Sequence, residues 1–162
     1  MLSMKWFALP LMLVLAFCGL TNALYLATAV SEGQSLLCPI DPAGDCNAVL
    51  ASPYARVGGV PLPYYGAFFF GLMFVLVAIE LAYSMRVVRR TLQGLAAVGV
   101  IISAYLVFLQ YSVIGVACSY CLVSAIASFG IFVLAYFIES LEQVPVASRS
   151  SVVSTMIAPP LS

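Results

Sequence analysis

Histidine is absent from this chain, and charge is nearly so. Without His there are no imidazole metal ligands and no Ser-His or Cys-His catalytic pair. Charged residues make up 7% of the 162 positions, whereas soluble domains carry about 25%. Six Lys and Arg balance six Asp and Glu, which rules out a basic nucleic-acid-binding surface and an acidic disordered tail. Hydrophobic residues reach 64%, above the roughly 45–50% of soluble domains. The natural solvent of such a chain is lipid. Against these absences stand five Cys, and they head the short list of groups that could carry chemistry.

The few charges punctuate the chain. Phe7 to Val30 is 24 residues without a charge, Val57 to Ile79 is 23, and Thr91 to Ile138 is 48. As one helix the last run would be about 72 Å long, yet a bilayer core of about 30 Å needs only about 20 residues. It is therefore two spans with a turn near Gln110–Val116, where Gln, Tyr, Ser and Gly cluster. The expected fold is an all-α membrane protein: a bundle of four transmembrane helices over 7–30, 62–83, 91–111 and 117–138. A lipid-facing sheet would leave unpaired backbone groups in hydrocarbon. Lys5, Arg86, Arg89, Arg90 and Arg149 fall on one side and only Arg56 on the other, so both termini are expected to be cytoplasmic. The loop 31–61 and the turn 111–117 then face outward. Lys5, the apolar run and Ala27-Thr28-Ala29 resemble a signal peptide, but the run exceeds the roughly 7–15 residues of an h-region, and the segment reads as a helix. Residues 1–138 form the membrane domain; 139–162, with Ser-rich and Pro-Pro stretches, read as a poorly ordered cytoplasmic tail. No internal repeat or soluble second domain is evident.

This topology puts Cys38 and Cys46 in the long outer loop and Cys118 and Cys121 at the outer mouth of span four, where disulfides persist. Cys18 lies mid-span and reads as a small buried hydrophobe. Cys118-Ser119-Tyr120-Cys121 has the C-x-x-C spacing of a redox pair. In the first turn of a helix, the Cys118 thiolate would face unpaired N–H groups and the positive helix end, which lowers its pKa. Cys121, one turn deeper on the same face, would look toward the membrane. In Cys38-Pro-Ile-Asp-Pro-Ala-Gly-Asp-Cys46 the two Pro and the Gly bend the loop. Asp45 could cap a short half-helix from Cys46 to about Ala51, ended by Ser52-Pro53. That half-helix would lie as a lid on the bundle mouth and hold Cys46 over Cys118. Two alternatives stay open. Structural disulfides would need no chemistry and would make the protein a non-catalytic four-span scaffold. A four-cysteine zinc site is the other, although the seven-residue gap between Cys38 and Cys46 exceeds the usual C-x₂₋₄-C. An ion path would need ionisable groups mid-membrane, and Glu80, the one candidate, sits near the inner end of span two.

A loop cysteine pair, a Ser six residues after the second Cys and a C-x-x-C opening the fourth helix resemble the vitamin K epoxide reductase family. The bacterial members look most similar, through Cys46-Asn-Ala-Val-Leu-Ala-Ser52-Pro-Tyr and Gly59-Val-Pro-Leu-Pro-Tyr-Tyr-Gly66. The resemblance covers roughly residues 7–138. The DsbB family also has four spans but carries its C-x-x-C in the first outer loop. The resemblance implies a quinone-dependent thiol-disulfide oxidoreductase of the bacterial inner membrane with its cysteines on the outer side. A reduced, secreted thioredoxin-fold partner of DsbA type would attack Cys38 and release Cys46. Cys46 would attack Cys118 and free Cys121, which would pass electrons to ubiquinone or menaquinone. Ser52 matches a family hydroxyl that bonds the loop or a quinone carbonyl. DsbA-type partners are oxidants at roughly −120 mV and need an acceptor of higher potential, which a quinone supplies without metal or nucleotide.

Two departures bear on the substrate. Where vertebrate members carry an Asn that helps hold vitamin K, this chain reads Leu62-Pro63, and where they carry a Tyr after the C-x-x-C it has Ala125. Both favour quinone reduction over the alternative, a vitamin K or quinone epoxide reductase. Some bacterial members carry a fused thioredoxin-like domain; the length here leads us to expect a separate partner. A quinone pocket should be apolar and aromatic with few polar anchors. Tyr64, Tyr65 and Phe68 are candidates, although Tyr at that depth is also interface belt and Phe also lipid contact.

Overall fold

A computed structural model describes the backbone of residues 2–36 and 46–157, with side chains described over 7–36 and 46–140. Four helices among these residues are long and apolar enough to cross a membrane. They are α1 (Leu2–Glu32), α3 (Leu62–Tyr83), α4 (Arg86–Leu109) and α5 (Ser119–Ile157). Between α1 and α3 lie the short helix α2 (Cys46–Ala51), a 3-10 turn (Pro53–Ala55), and the strands β1 (Arg56–Val57) and β2 (Val60–Pro61). The helices form a ring in which α1 packs on α3 and α5, and α4 closes the circle against the same two.

The interior is built from small residues and a few large ones. Ala16, Ala23, Ala96, Ala127 and Ala135 let the backbones approach, while Met12, Phe70, Met73, Val77 and Ile131 fill the centre. Lipid tails are as apolar as Leu, so helices in a bilayer associate through close packing rather than water exclusion. The large residues that point outward, such as Phe17, Ile101, Phe108 and Phe129, form the belt a hydrocarbon solvent requires.

Helix ends follow local chemistry. α1 stops at Gly33, whose φ is 63°, and the Gln34 N–H reaches back to the Ala29 carbonyl at 3.0 Å, the Schellman closure. α2 occupies the residues expected for the half-helix; its expected cap, Asp45, lies outside the described residues. Gly58 and Gly59 both have positive φ (59° and 85°). They make the two-residue hairpin turn that pairs Arg56 with Pro61 and Val57 with Val60, and this turn type needs φ > 0 at both central positions. α3 starts with Pro in its first turn, where a missing N–H costs nothing.

Three boundaries differ from expectation. Arg86, Arg89 and Arg90, read as an inner loop, form the beginning of α4, because Ser84 in the left-handed region turns the chain within two residues. The span ending near residue 111 continues as a π-helical turn, Gln110–Ile114, and breaks only at Gly115 with φ 74°. α5 runs on to Ile157, so the segment read as a poorly ordered tail is helical through most of its length.

The tight α3–α4 turn holds a buried ion pair. Arg89 donates through Nη2 at 2.6 Å and Nε at 3.0 Å to Glu80 Oε1, and both residues are buried. Glu80 sits at a helix C-terminus and Arg89 at an N-terminus, each at the end its charge disfavours. What holds them is mutual neutralisation, and losing one partner strands the other charge. Arg89→Leu should therefore destabilise the detergent-solubilised protein by about 3 kcal/mol. The Glu80→Leu, Arg89→Leu double variant should lie nearer wild type in the same unfolding experiment.

Candidate functional site

At one end of the bundle the lid and the N-terminal mouth of α5 close on each other. Cys46 and Cys118 are both 0% exposed. They share one apolar cluster with Leu26, Ala29, Leu36 and Val49, and Cys121 packs at its edge. Cys46 is held in a disulfide, while Cys18, Cys118 and Cys121 are free thiols. Cys38 lies outside the described residues. Cys18, expected to be buried, is exposed on α1, because its position faces away from the ring. The lid is fastened by Asn47, whose side-chain amide donates to the Leu36 carbonyl at 3.1 Å and accepts from the Leu36 N–H at 2.9 Å.

Cys118 occupies the N-cap of α5. Its carbonyl accepts the first helical bond, from the Leu122 N–H at 3.1 Å, and its sulfur accepts from the backbone N–H groups of Tyr120 and Cys121. Those are the two orphan donors that a Ser or Asp cap normally satisfies. A further hydrogen bond from the Cys121 thiol is the largest influence, and together these outweigh burial and lower the Cys118 pKa to about 7. The thiolate is thus well populated at neutral pH, and the thiolate is the nucleophile.

Cys121 faces the other way. It lines a cavity of about 210 Å³ enclosed by the lid, α1, α3, α4 and α5. The walls are apolar and aromatic, with Phe69, Phe70 and Leu106 among them, and beside Cys121 the polar side chains are Ser52, Tyr54, Tyr65, Ser103, Gln110, Ser124 and Ser128. Ser124 and Ser128 lie three and seven residues after Cys121, so one face of α5 presents all three to the cavity. Phe70 packs against Gly19 of α1 and Phe69 against Gly99 of α4, where any Cβ would collide with the rings. The two rings meet edge to face at 5.2 Å.

Of the residues expected to hold a quinone, Ser52 and Tyr65 line the cavity. Tyr64 and Phe68 do not: they are 44% and 74% exposed, four residues apart on the opposite face of α3. The inward face instead carries Tyr65, Phe69 and Phe70. Ser52 donates its one proton to the Val49 carbonyl at 2.7 Å, so it caps α2 and offers the cavity only acceptor lone pairs. Tyr65 donates to the Val57 carbonyl at 3.1 Å and ties the hairpin to α3.

Two residues missed in the sequence stand out. Asn22, deep in α1, donates to the Tyr120 carbonyl at 2.9 Å and to Ser124 Oγ at 2.8 Å, clamping the C-x-x-C turn. Gln110 is buried and accepts the Cys118 N–H at 3.0 Å. The available signal was the cost of an amide in hydrocarbon: each is a lone amide in an apolar run and needed a partner. No group of three metal-binding side chains occurs among the described residues. In the reduced protein, alkylation of Cys118 should rise through a midpoint near pH 7. Cys121→Ala, which deletes the principal donor, should move that midpoint upward toward the ordinary thiol range, as mass-spectrometric rate measurements would register.

Comparison with known proteins bears on the same stretch of chain. The model of the vitamin K epoxide reductase family matches residues 10–136, from the first turns of α1 through the lid and both cysteine pairs. "Thiol-disulfide oxidoreductase LTO1" of Arabidopsis thaliana is 37% identical over 117 residues, which is 68% of this chain and 31% of that protein. The chain therefore spans under a third of this relative's length. The extent of the family match, over the helices and loops that build the site, shows that the chain belongs to the vitamin K epoxide reductase family.

Proposed function

We propose that the protein is a membrane thiol-disulfide oxidoreductase that passes electrons from a thiol-bearing partner to a membrane quinone. The observation that carries this reading is the split orientation of one dithiol. Cys118 is sealed in the same cluster as Cys46, while Cys121, one turn on, forms part of the cavity wall.

In the proposed relay the thiolate of a reduced thioredoxin-fold partner attacks Cys38 in a Cys38–Cys46 disulfide and releases the Cys46 thiolate. Cys46 attacks Cys118 in a Cys118–Cys121 disulfide, and the electron pair of the broken bond goes to Cys121. Resolution of the partner at Cys38 by its second thiol yields an oxidised partner and frees the Cys38 thiolate. That thiolate attacks Cys46 in the Cys46–Cys118 disulfide, re-forms Cys38–Cys46 and releases the Cys118 thiolate. A loop disulfide at Cys46 together with free Cys118 and Cys121 corresponds to the stage after internal transfer. The apolar, aromatic cavity with scattered hydroxyls suits a quinone ring, and a bound quinone supplies two-electron, two-proton acceptor chemistry. Cys121 would face it directly, with Ser124 and Ser128 along the same helix face. The Cys118–Cys121 dithiol, giving up two electrons and two protons to such an acceptor, would re-form its disulfide. Leu62 and Pro63 line the cavity without a side-chain donor, which favours a quinone over its epoxide. The membrane is proposed to be a bacterial inner membrane, with both termini cytoplasmic and the cysteines outside. The catalytic unit is proposed as residues 1–138 and the remainder as a cytoplasmic extension, a division that falls within α5.

The scaffold alternative predicts inert disulfides, so the variants are chosen against it. Cys121→Ala should reduce quinone turnover with a reduced partner to the protein-free background, while mixed disulfides through Cys38 still form. Quinone turnover by this variant would sink the relay. Gly99→Ala should push Phe69 into the cavity and raise KM for a soluble quinone analogue severalfold, at a stability cost of about 1–3 kcal/mol, with partner mixed-disulfide formation unchanged.

A further inference from the structure

Asn22 of α1 and Ser124 of α5 hold each other behind the cavity wall. The Asn22 Nδ2 donates to the Tyr120 carbonyl at 2.9 Å and to Ser124 Oγ at 2.8 Å. A carbonyl only accepts, so the amide turns its nitrogen to this side, and Ser124 is an acceptor toward it. Ser124 must therefore place its own proton elsewhere. Other helical hydroxyls return theirs to the backbone: Thr21 to Phe17, Thr91 to Val87 and Ser140 to Tyr136, each at 3.0 Å and each four residues back. For Ser124 that carbonyl belongs to Tyr120. Its two lone pairs are already taken, one by the helical bond from four residues on and one by Asn22. The Ser124 O–H meets no acceptor among the described residues, and Ser124 lines the cavity together with Cys121. Ser52 and Tyr65, also in the wall, give their protons to the Val49 and Val57 carbonyls.

We propose that Asn22 is a positioning residue that makes Ser124 a hydrogen-bond donor to a carbonyl oxygen of the quinone. The proposal rests on the quinone reading above and names the group that recognises the ring. The oxygens of a quinone are acceptors only, and a hydroxyl barred from its own backbone is the complement they need. Ser124 follows Cys121 by three residues, so the donor and the thiol share one face of α5. Asn22 does not line the cavity and acts only through Ser124. Its bond to Oγ also polarises the Ser124 O–H, because hydrogen bonds in a chain strengthen one another. An apolar molecule of the same shape gains nothing from this donor. The pair therefore selects for a carbonyl in a cavity whose walls are otherwise suited to any flat hydrocarbon.

The test is binding of duroquinone to the oxidised full chain in nanodiscs, in which both cysteine pairs are disulfides and no electrons move. Durene, the same methylated ring without the oxygens, is the control ligand. Ser124→Ala and Asn22→Leu should each weaken duroquinone binding about fivefold, the scale of one neutral hydrogen bond, and leave durene unchanged. In the double variant the two losses should not add, because both remove the same bond. The infrared carbonyl stretch of bound duroquinone, lowered by a hydrogen bond, should rise in all three. If Asn22→Leu does not fold, the less bulky Asn22→Ala takes its place. Wild-type affinity in Ser124→Ala overturns the proposal and leaves the quinone reading intact. A loss in Ser124→Ala with none in the Asn22 variant overturns the role of Asn22. Additive losses, or an equal loss of durene, mean that Asn22 merely clamps the C-x-x-C turn, and they overturn it too. Failure of the wild type to bind duroquinone overturns the quinone reading itself, and the proposal with it.

Discussion

The cysteine-bearing half of the molecule depends on how the first turn of α5 satisfies its N–H groups away from water. A helix N-terminus leaves its first donors without intrahelical partners, and at this depth solvent cannot supply them. Three groups do so. The Cys118 sulfur takes the Tyr120 and Cys121 N–H groups, Gln110 takes the Cys118 N–H, and the Asn22 clamp on the Tyr120 carbonyl fixes the turn against α1. Protonating the Cys118 sulfur weakens an acceptor that the helix needs, so the fold itself favours the thiolate. Reactivity and helix capping are therefore the same interaction seen from two sides.

The cavity follows from a second constraint, the space available between α1, α3 and α4. Phe69 and Phe70 can point inward only because Gly19 and Gly99 present no Cβ to them. The rings occupy the room that side chains on α1 and α4 would have filled and form a wall of the cavity. Deeper in the bundle, Ala and Met pack without such a gap. The opening thus lies at the end where Cys121 lines it, while the Glu80–Arg89 pair sits toward the opposite end of α3.

Much of this was legible in the sequence because charge and Pro act as punctuation in an apolar chain. The limits of α3 and of α2 fell where Leu62-Pro63 and Ser52-Pro53 put them. Helix faces were harder to assign. Tyr64-Tyr65-Gly66-Ala67-Phe68-Phe69-Phe70 is apolar all round, so periodicity gives no contrast between lipid and interior, and Tyr64 and Phe68 were chosen where Phe69 and Phe70 belong. The partners of Asn22 and Gln110 lie 98 and 8 residues away. Neither contact has a local motif, and Gln110 was hidden further by a π-turn in a segment read as loop. Arg89 was misplaced because its buried partner is on the preceding helix.

The lid shows how exchange between the cysteine pairs can proceed without repacking the bundle. Cys46 and Cys118 already share one apolar cluster, so on the proposed relay the attacking and attacked residues are packed in the same part of the folded state. The lid is held by Cys46 and Val49 in the shared apolar cluster and by the Asn47 bonds to Leu36, while Tyr65 ties the neighbouring hairpin through Val57. At six residues, α2 is the shortest α-helix among the described residues, and short elements open more readily than long packed spans. Small movements of α2 would suffice to align Cys46 with Cys118, while the C-x-x-C turn stays clamped by Asn22 and Gln110. On the proposed relay, motion then falls to the side that would meet a protein partner, and rigidity to the side that faces the cavity. On the proposed reading, that asymmetry keeps Cys121 directed at the cavity throughout the exchange.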